Sequence, residues 1–245
     1  MEYGISGYRS EHNRYENKQV IQIDHVQADL NGRGDVVQIY LLGIKEEDHL
    51  ILDDITVVVD YQNTNERQYY ALPISRGMGG GLHVQDFNHD GQKDIGVYIQ
   101  TGGTGNQLNY WILFNNQDSF SLGFSSEAFE DKMKYSVIYQ PNYEVEVTHL
   151  PSGQKKTLNI QDKEPTYLQS IYASSGELKA PIKGAVASVS DSDPIESKVH
   201  DIGHDLIFYQ QILGRSHNDT LGYVQSYLIF DQDQFHVYKI LISQS

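Results

Sequence analysis

Apolar and polar residues alternate along most of this chain in short runs. Val36-Val37-Gln38-Ile39-Tyr40-Leu41-Leu42, Ile55-Thr56-Val57-Val58-Val59-Asp60-Tyr61 and Tyr110-Trp111-Ile112-Leu113-Phe114 are rich in β-branched and aromatic side chains and end in Gly, Asn or Asp clusters. This is the pattern of strands separated by turns. Tyr143 to Leu150, then Pro151-Ser152-Gly153-Gln154, then Lys155 to Ile160 predict a β-hairpin. Two short helices are also predicted: Glu127 to Tyr135, with Ser126 as N-cap and lysines near its end, and Tyr167 to Tyr172, after Pro165. The expected fold class is therefore mainly β, with repeated antiparallel sheets in a small propeller-like array and two short helices.

One stretch recurs. His25-Val26-Gln27-Ala28-Asp29-Leu30-Asn31-Gly32-Arg33-Gly34-Asp35-Val36 has the layout of His83-Val84-Gln85-Asp86-Phe87-Asn88-His89-Asp90-Gly91-Gln92-Lys93-Asp94-Ile95. Each is followed by a predicted strand ending in Gly, at Gly43 in one and Gly102-Gly103 in the other. A third, eroded copy runs from Val199-His200-Asp201-Ile202-Gly203-His204-Asp205 into a strand that reaches Gly214. Asp94 to Asp205 is close to twice the spacing from Asp35 to Asp94, leaving room for one unit without a recognisable loop near Leu150. The chain is thus read as a single β-repeat domain with units 20–80, 81–140, 141–198 and 199–245.

Composition narrows the partners. A chain of 245 residues suits one large all-β domain, and 18 Tyr with 8 Phe supply buried area that offsets a modest aliphatic content. Eighteen Lys and Arg against 33 Asp and Glu give a net charge of −15. No basic run interrupts that field, which argues against nucleic acid and anionic membranes as partners and favours cations. The absence of cysteine excludes disulfides, thiolate metal sites and a Cys nucleophile. Met1 to Ser10 lacks the basic start and apolar stretch of a signal peptide, and no segment approaches the about 18 apolar residues needed to cross a bilayer. A soluble protein without membrane insertion is expected; the compartment stays open, and a cysteine-free chain suits an extracellular, cell-surface or spore-associated setting as well as a cytosolic one.

The second copy carries the candidate chemistry. Asp86, Asn88, Asp90 and Asp94 offer carboxylate or amide oxygens, Gly91 permits a sharp turn, and Gln92 supplies a main-chain carbonyl. Ca²⁺ takes about six to eight oxygen ligands, and a tight loop turns alternate side chains onto one ion. Three carboxylates and an Asn exceed what Mg²⁺ usually draws from protein, and no His or Cys stands at a ligand position as a transition metal prefers. The predicted metal ligands are Asp86, Asn88, Asp90, Gln92 and Asp94, with Ca²⁺ as the ion. The competing reading is that Asp and Asn serve only as turn formers.

These residues match, position by position, the D-x-[DN]-x-D-G-x-x-D loop of the FG-GAP and VCBS repeat proteins, which the chain resembles. It is also similar to Bacillus-type VCBS-repeat proteins at Leu206-Ile207-Phe208-Tyr209-Gln210-Gln211-Ile212-Leu213-Gly214-Arg215 and Leu221-Gly222-Tyr223-Val224-Gln225. The resemblance implies loops set between the strands of β blades, and no known activity. The first copy departs from it with Arg33 in place of an Asp and with two fewer residues before Asp35. The third keeps only Asp201, Gly203 and Asp205. Arg33 is expected to put its guanidinium where the ion would sit, bridging Asp29 and Asp35.

Other constellations are weaker. Arg33-Gly34-Asp35 spells an adhesion tripeptide but is already explained as a decayed loop. His200-Asp201 and His204-Asp205 lack the helical scaffold of a phosphohydrolase. Gly77 to Gly81 and Thr101 to Asn106 read as loops, without the helix start of a phosphate cradle. Ser216-His217-Asn218-Asp219 are adjacent in sequence, whereas triads assemble in space. No catalytic residues are assigned. The expected function is a non-enzymatic Ca²⁺-binding protein presenting a surface to a protein or glycan partner. The alternatives are a hydrolase of polysaccharide or phosphate esters and a carbohydrate-binding module whose tyrosines stack on sugars.

Overall fold

The computed structural model describes residues 18–47, 49–103, 105–117, 119–200 and 203–245. Met1 to Ser10, Thr104 and Asp201, all read above, lie outside the described residues. Strands β1 (Lys18–Asp29), β2 (Val36–Glu46), β3 (Leu52–Tyr61) and β4 (Glu66–Ala71) form one antiparallel meander. Strands β5 (Gly79–Gln85), β6 (Asp94–Gln100), β7 (Leu108–Asn115) and β8 (Phe120–Ser125) form a second. Helix α1 (Ser126–Lys132) leads into β9 (Tyr135–Gln140), β10 (Glu144–His149) and β11 (Lys155–Asn159). Helix α2 (Pro165–Ile171) then precedes β12 (Lys183–Glu196), β13 (His204–Leu213), β14 (Thr220–Asp231) and β15 (Gln234–Gln244).

These last seven strands make a third sheet in the order β11-β10-β9-β12-β13-β14-β15. β12 joins its halves, pairing with β9 at Lys183 and Gly184 and with β13 from Ala185 to Glu196. The sheet curls until its edges approach, where the Asn159 amide donates to Gln244 Oε1 at 3.1 Å. The barrel is nearly closed, and side chains rather than a backbone ladder span the gap.

The second sheet is the middle layer. Ile95, Val97, Ile99, Trp111 and Leu113 pack against Ile39, Leu41, Val57 and Val59 of the first sheet. The alternate residues Tyr110 and Ile112 pack with Phe129 of α1 against Leu206 and Phe208 of the third. The unbroken apolar run at 110–114 therefore still obeys a period of two: each face meets a different neighbour. A separate core of Val145, Val147, Leu158, Ile212 and Val224 fills the barrel.

Several expectations shift in detail. The hairpin forms with Glu144 opposite Asn159 and Thr148 opposite Lys155. α1 starts one residue early, capped by Ser125 Oγ, which accepts from the Ala128 amide at 3.3 Å. Ser126 instead turns inward and accepts from the Tyr110 amide at 3.0 Å. The helix stops at Lys132 because the chain must enter β9 at Tyr135. α2 spans Pro165–Ile171, and Tyr172 is extended, bridging to Leu178. β2 does not end at Gly43 but continues to Glu46, and the register against β3 slips between Leu42 and Ile44. Gly79, Gly80 and Gly81 are strand, not loop. A Cβ on Gly80 would lie 2.2 Å from the Tyr98 carbonyl oxygen, so the close approach of β5 to β6 demands glycine there.

Candidate functional site

The loop between β5 and β6 is a turn held by its own side chains. His89 and Gly91 adopt left-handed φ of +61° and +85°, which fold the chain back on itself. Asp86 accepts from the Asp90 amide at 3.2 Å and the Gly91 amide at 3.0 Å. Asn88 Oδ1 accepts from the Asp90 amide at 3.1 Å, and Asn88 Nδ2 donates to Asp90 Oδ2 at 3.1 Å. Asp90 Oδ1 in turn accepts from the Gln92 amide at 2.8 Å. Asp86, Asn88 and Asp90 are thus gathered at the surface, with Asp90 the most exposed.

Asp94 differs from them in facing inward. It is fully buried and accepts from the amides of Phe87 at 2.9 Å, Asn88 at 3.2 Å and Asn115 at 2.9 Å. Burial pushes its carboxyl up to about 7, while the N–H bonds from Asn115 and Phe87 pull the other way. Asp94 therefore ties the loop to β7 as well as closing it. Among the described residues, no three His, Asp or Glu side chains already stand together as a metal's ligands would.

The related loops converge here, which spacing alone did not show. The Lys93 amide donates to the Leu30 carbonyl at 2.8 Å, and Asn115 Nδ2 reaches the same carbonyl at 3.4 Å. The His204 amide donates to the Asp86 carbonyl at 2.7 Å. The His89 ring lies 4.2 Å from that of His200, and its Nε2 is 3.7 Å from Asp205 Oδ1. Asp205 has no exposure, and its other oxygen accepts from Tyr238 Oη at 3.3 Å. Burial and then the neighbouring His200 hold the His89 imidazole below its usual range.

Arg33 does not bridge Asp29 and Asp35. The Asp29 carboxylate is taken by the amides of Asn31 at 3.2 Å and Gly34 at 2.8 Å, the latter pulling it below the usual carboxylate range. Asp35 accepts from Asn63 Nδ2 at 3.0 Å. Once backbone N–H groups fill the carboxylate, the exposed guanidinium has nothing to hold it inward.

A second polar centre escaped the sequence reading. Asp219, singled out only for adjacency to Ser216 and His217, accepts from Tyr167 Oη at 2.6 Å and the Arg215 amide at 2.9 Å. Tyr167 also shares a hydrogen bond of 2.6 Å with Tyr139, and Lys163 Nζ stands 3.6 Å from Asp219. No local pattern marks it, because Tyr139, Tyr167 and Asp219 meet only in the fold; there a Cβ on Gly214 would lie 2.1 Å from Asp219 Oδ2, so the approach demands glycine. With its groups paired, this centre pins α2 to the β13–β14 turn. A cavity of about 490 Å³ between α1, β8 and the barrel is lined by Phe124, Phe129, Met133 and Phe235. Asp233 is its one carboxylate among the described residues, so it lacks the facing pair that a glycosidase needs. No described helix is long and apolar enough to cross a membrane.

Comparison with known proteins places these features. The family model described as "YybI C-terminal domain" matches residues 133–243, a span that begins at the end of α1 and takes in the third sheet. The chain is 31% identical over 209 residues to "Uncharacterized protein YybI" of Bacillus subtilis (strain 168), covering 85% of this chain and 79% of that one. No solved structure matches it. The barrel and the loops that meet at its edge are thus those of a protein that belongs to the YybI family.

Proposed function

We propose that this is a non-enzymatic Ca²⁺-binding β-repeat protein of the FG-GAP and VCBS kind, in which an ion at Asp86 to Asp94 stiffens a binding or assembly surface. The observation that carries the reading is the gathering of Asp86, Asn88 and Asp90 on one exposed turn, with Asp94 buried behind it. The donors fit a hard cation, being oxygens only. Asp86, Asn88 and Asp90 would hold it through side chains and Gln92 through its carbonyl, while Asp94 fixes the loop from within. The ion would supply charge compensation for clustered carboxylates and raise stability by mass action.

Calorimetric titration of Ca²⁺ into chelator-treated protein tests this. One ion per chain is expected, and Asp90→Ala should remove the binding heat. Absence of binding, or binding unchanged in Asp90→Ala, would overturn the assignment.

A further inference from the structure

The outer face of β13, β14 and β15 carries aromatic residues that the barrel core does not use. Val224 of β14 and Ile212 of β13 point into the core, so strand alternation places Tyr209, Gln211, Tyr223, Gln225 and Tyr227 on the opposite side. Pairing sets them in rows: Gln211 and Ser243 flank Tyr223, Tyr209 and Leu241 flank Gln225, and Ile207 and Lys239 flank Tyr227. Each of the three tyrosines is diagonal to its neighbour across the strands, a separation of about 7 to 8 Å. Tyr238 extends the patch, with its ring centroid 6.1 Å from that of Tyr227. None of these rings is fully buried, and Tyr238 and Leu241 are 40% and 39% exposed.

We infer that this face binds a neutral, β-linked polysaccharide chain. Flat pyranose rings present C–H groups to aromatic faces, and Tyr offers broad, rigid contact at small entropic cost. Gln211 and Gln225 stand between the rings; Gln225 Oε1 accepts from Tyr227 Oη at 3.4 Å, which leaves its amide N–H groups to donate to sugar hydroxyls, and Gln211 borders Gly105 of the β6–β7 loop. Asp193, which accepts from Tyr209 Oη at 3.0 Å, and Asp191, opposite Tyr209, border the face with negative charge. That charge disfavours uronic or sulfated chains. Lys239 Nζ rests 4.9 Å from the Tyr227 ring centre and shields that ring, so Tyr209 and Tyr223 carry the stacking.

The face also touches the candidate ion loop. Tyr238 Oη donates to Asp205, whose other oxygen lies near His89 of that loop. Glycan binding does not require the ion, so the two assignments fail separately.

The test is calorimetric titration of the full chain, in chelator and again in Ca²⁺, with cellohexaose and N-acetylchitohexaose, and with a galacturonate hexamer as the anionic control. Saturable binding of at least one neutral hexamer is expected in chelator, with the galacturonate at least tenfold weaker. Tyr209→Ala and Tyr223→Ala should each weaken binding at least tenfold, whereas Tyr223→Phe keeps the ring and should retain it. Leu241→Asp, at an exposed position, should weaken binding without touching the core. Tyr69→Ala, on the 57% exposed Tyr69 of the first sheet, should leave binding unchanged. Failure of both neutral hexamers to bind, or equal binding by Leu241→Asp and both alanine variants, would overturn the proposal.

Discussion

The loops at Asp29 to Asp35 and Asp86 to Asp94 share a backbone device and differ in chemistry. In each, the first Asp accepts from the amide of the Gly five residues on, Gly34 at 2.8 Å and Gly91 at 3.0 Å. In each, the Asn two residues after that Asp accepts from the amide two further on, Arg33 at 3.0 Å and Asp90 at 3.1 Å. Gly32 and His89 occupy equivalent left-handed positions, at φ of +71° and +61°. Asp, Asn and Gly therefore shape both turns through the same side-chain-to-backbone hydrogen bonds. What distinguishes the second loop is the carboxylate at 90, where the first has Arg33, and a closing Asp94 that is buried where Asp35 is exposed.

That contrast predicts unequal consequences for equivalent substitutions. Asp94→Ala leaves the buried amides of Phe87 and Asn115 and the half-buried Asn88 amide without their acceptor, at a cost of about 3 kcal/mol or more in denaturant unfolding. Asp35→Ala should stay within about 0.5 kcal/mol. Equal losses would mean that burial of the closing carboxylate does not separate the two loops.

The histidines that precede the loops sharpen the comparison through pH. His25 stacks on Tyr40 at 4.6 Å, whereas His83 is tucked between Tyr98 and Tyr110 and shares a 3.1 Å hydrogen bond with Tyr110 Oη. Burial depresses the His83 pKa. A base whose folded pKa lies below its unfolded value contributes stability above the unfolded value, about 6.5, which is lost as pH falls through the folded one. Asp94, with its buried carboxyl raised to about 7, takes up a proton in the folded state over the same range and acts in the opposite sense. The His83 contribution is therefore a difference: between pH 7.5 and pH 5 the wild type should lose stability relative to His83→Gln, and parallel profiles would contradict it. The smallest effect is expected for Arg33→Asp. It restores the missing carboxylate on an exposed loop that is still two residues short, so stability should change by less than about 0.5 kcal/mol and no second Ca²⁺ should bind.

Much of the architecture was legible because local rules and tertiary packing agree in it. Alternation revealed β2, β3 and β7, and Gly153 with its neighbours marked the hairpin turn. Errors fell where packing overrides local preference. Ser125 and Ser126 are equivalent as caps by residue type, and only the position of Tyr110 decides which one turns inward. A glycine cluster reads as a loop until two strands approach too closely for a Cβ. The bulge at Gly43 arises from register with β3, which no single strand encodes. In the site, turn geometry was readable from Asp86, Asn88 and Gly91, but the partners of Asp94 were not. Asn115 and Leu30 are distant in sequence: Asn115 meets Asp94 when β7 pairs with β6, and Leu30 meets the loop when the first sheet stacks on the second. The outward tyrosines were hidden for a similar reason, because composition counts Tyr209 and Tyr110 alike although only Tyr110 is entombed.

Melting temperature in millimolar Ca²⁺ against excess chelator, for the wild-type chain and Asp90→Ala side by side, tests the role of the loop most directly. The account predicts a higher melting temperature with Ca²⁺ for the wild type and no difference for Asp90→Ala. Identical wild-type melting in Ca²⁺ and chelator would contradict it, leaving Asp86 to Asp94 as a turn sustained by its own hydrogen bonds.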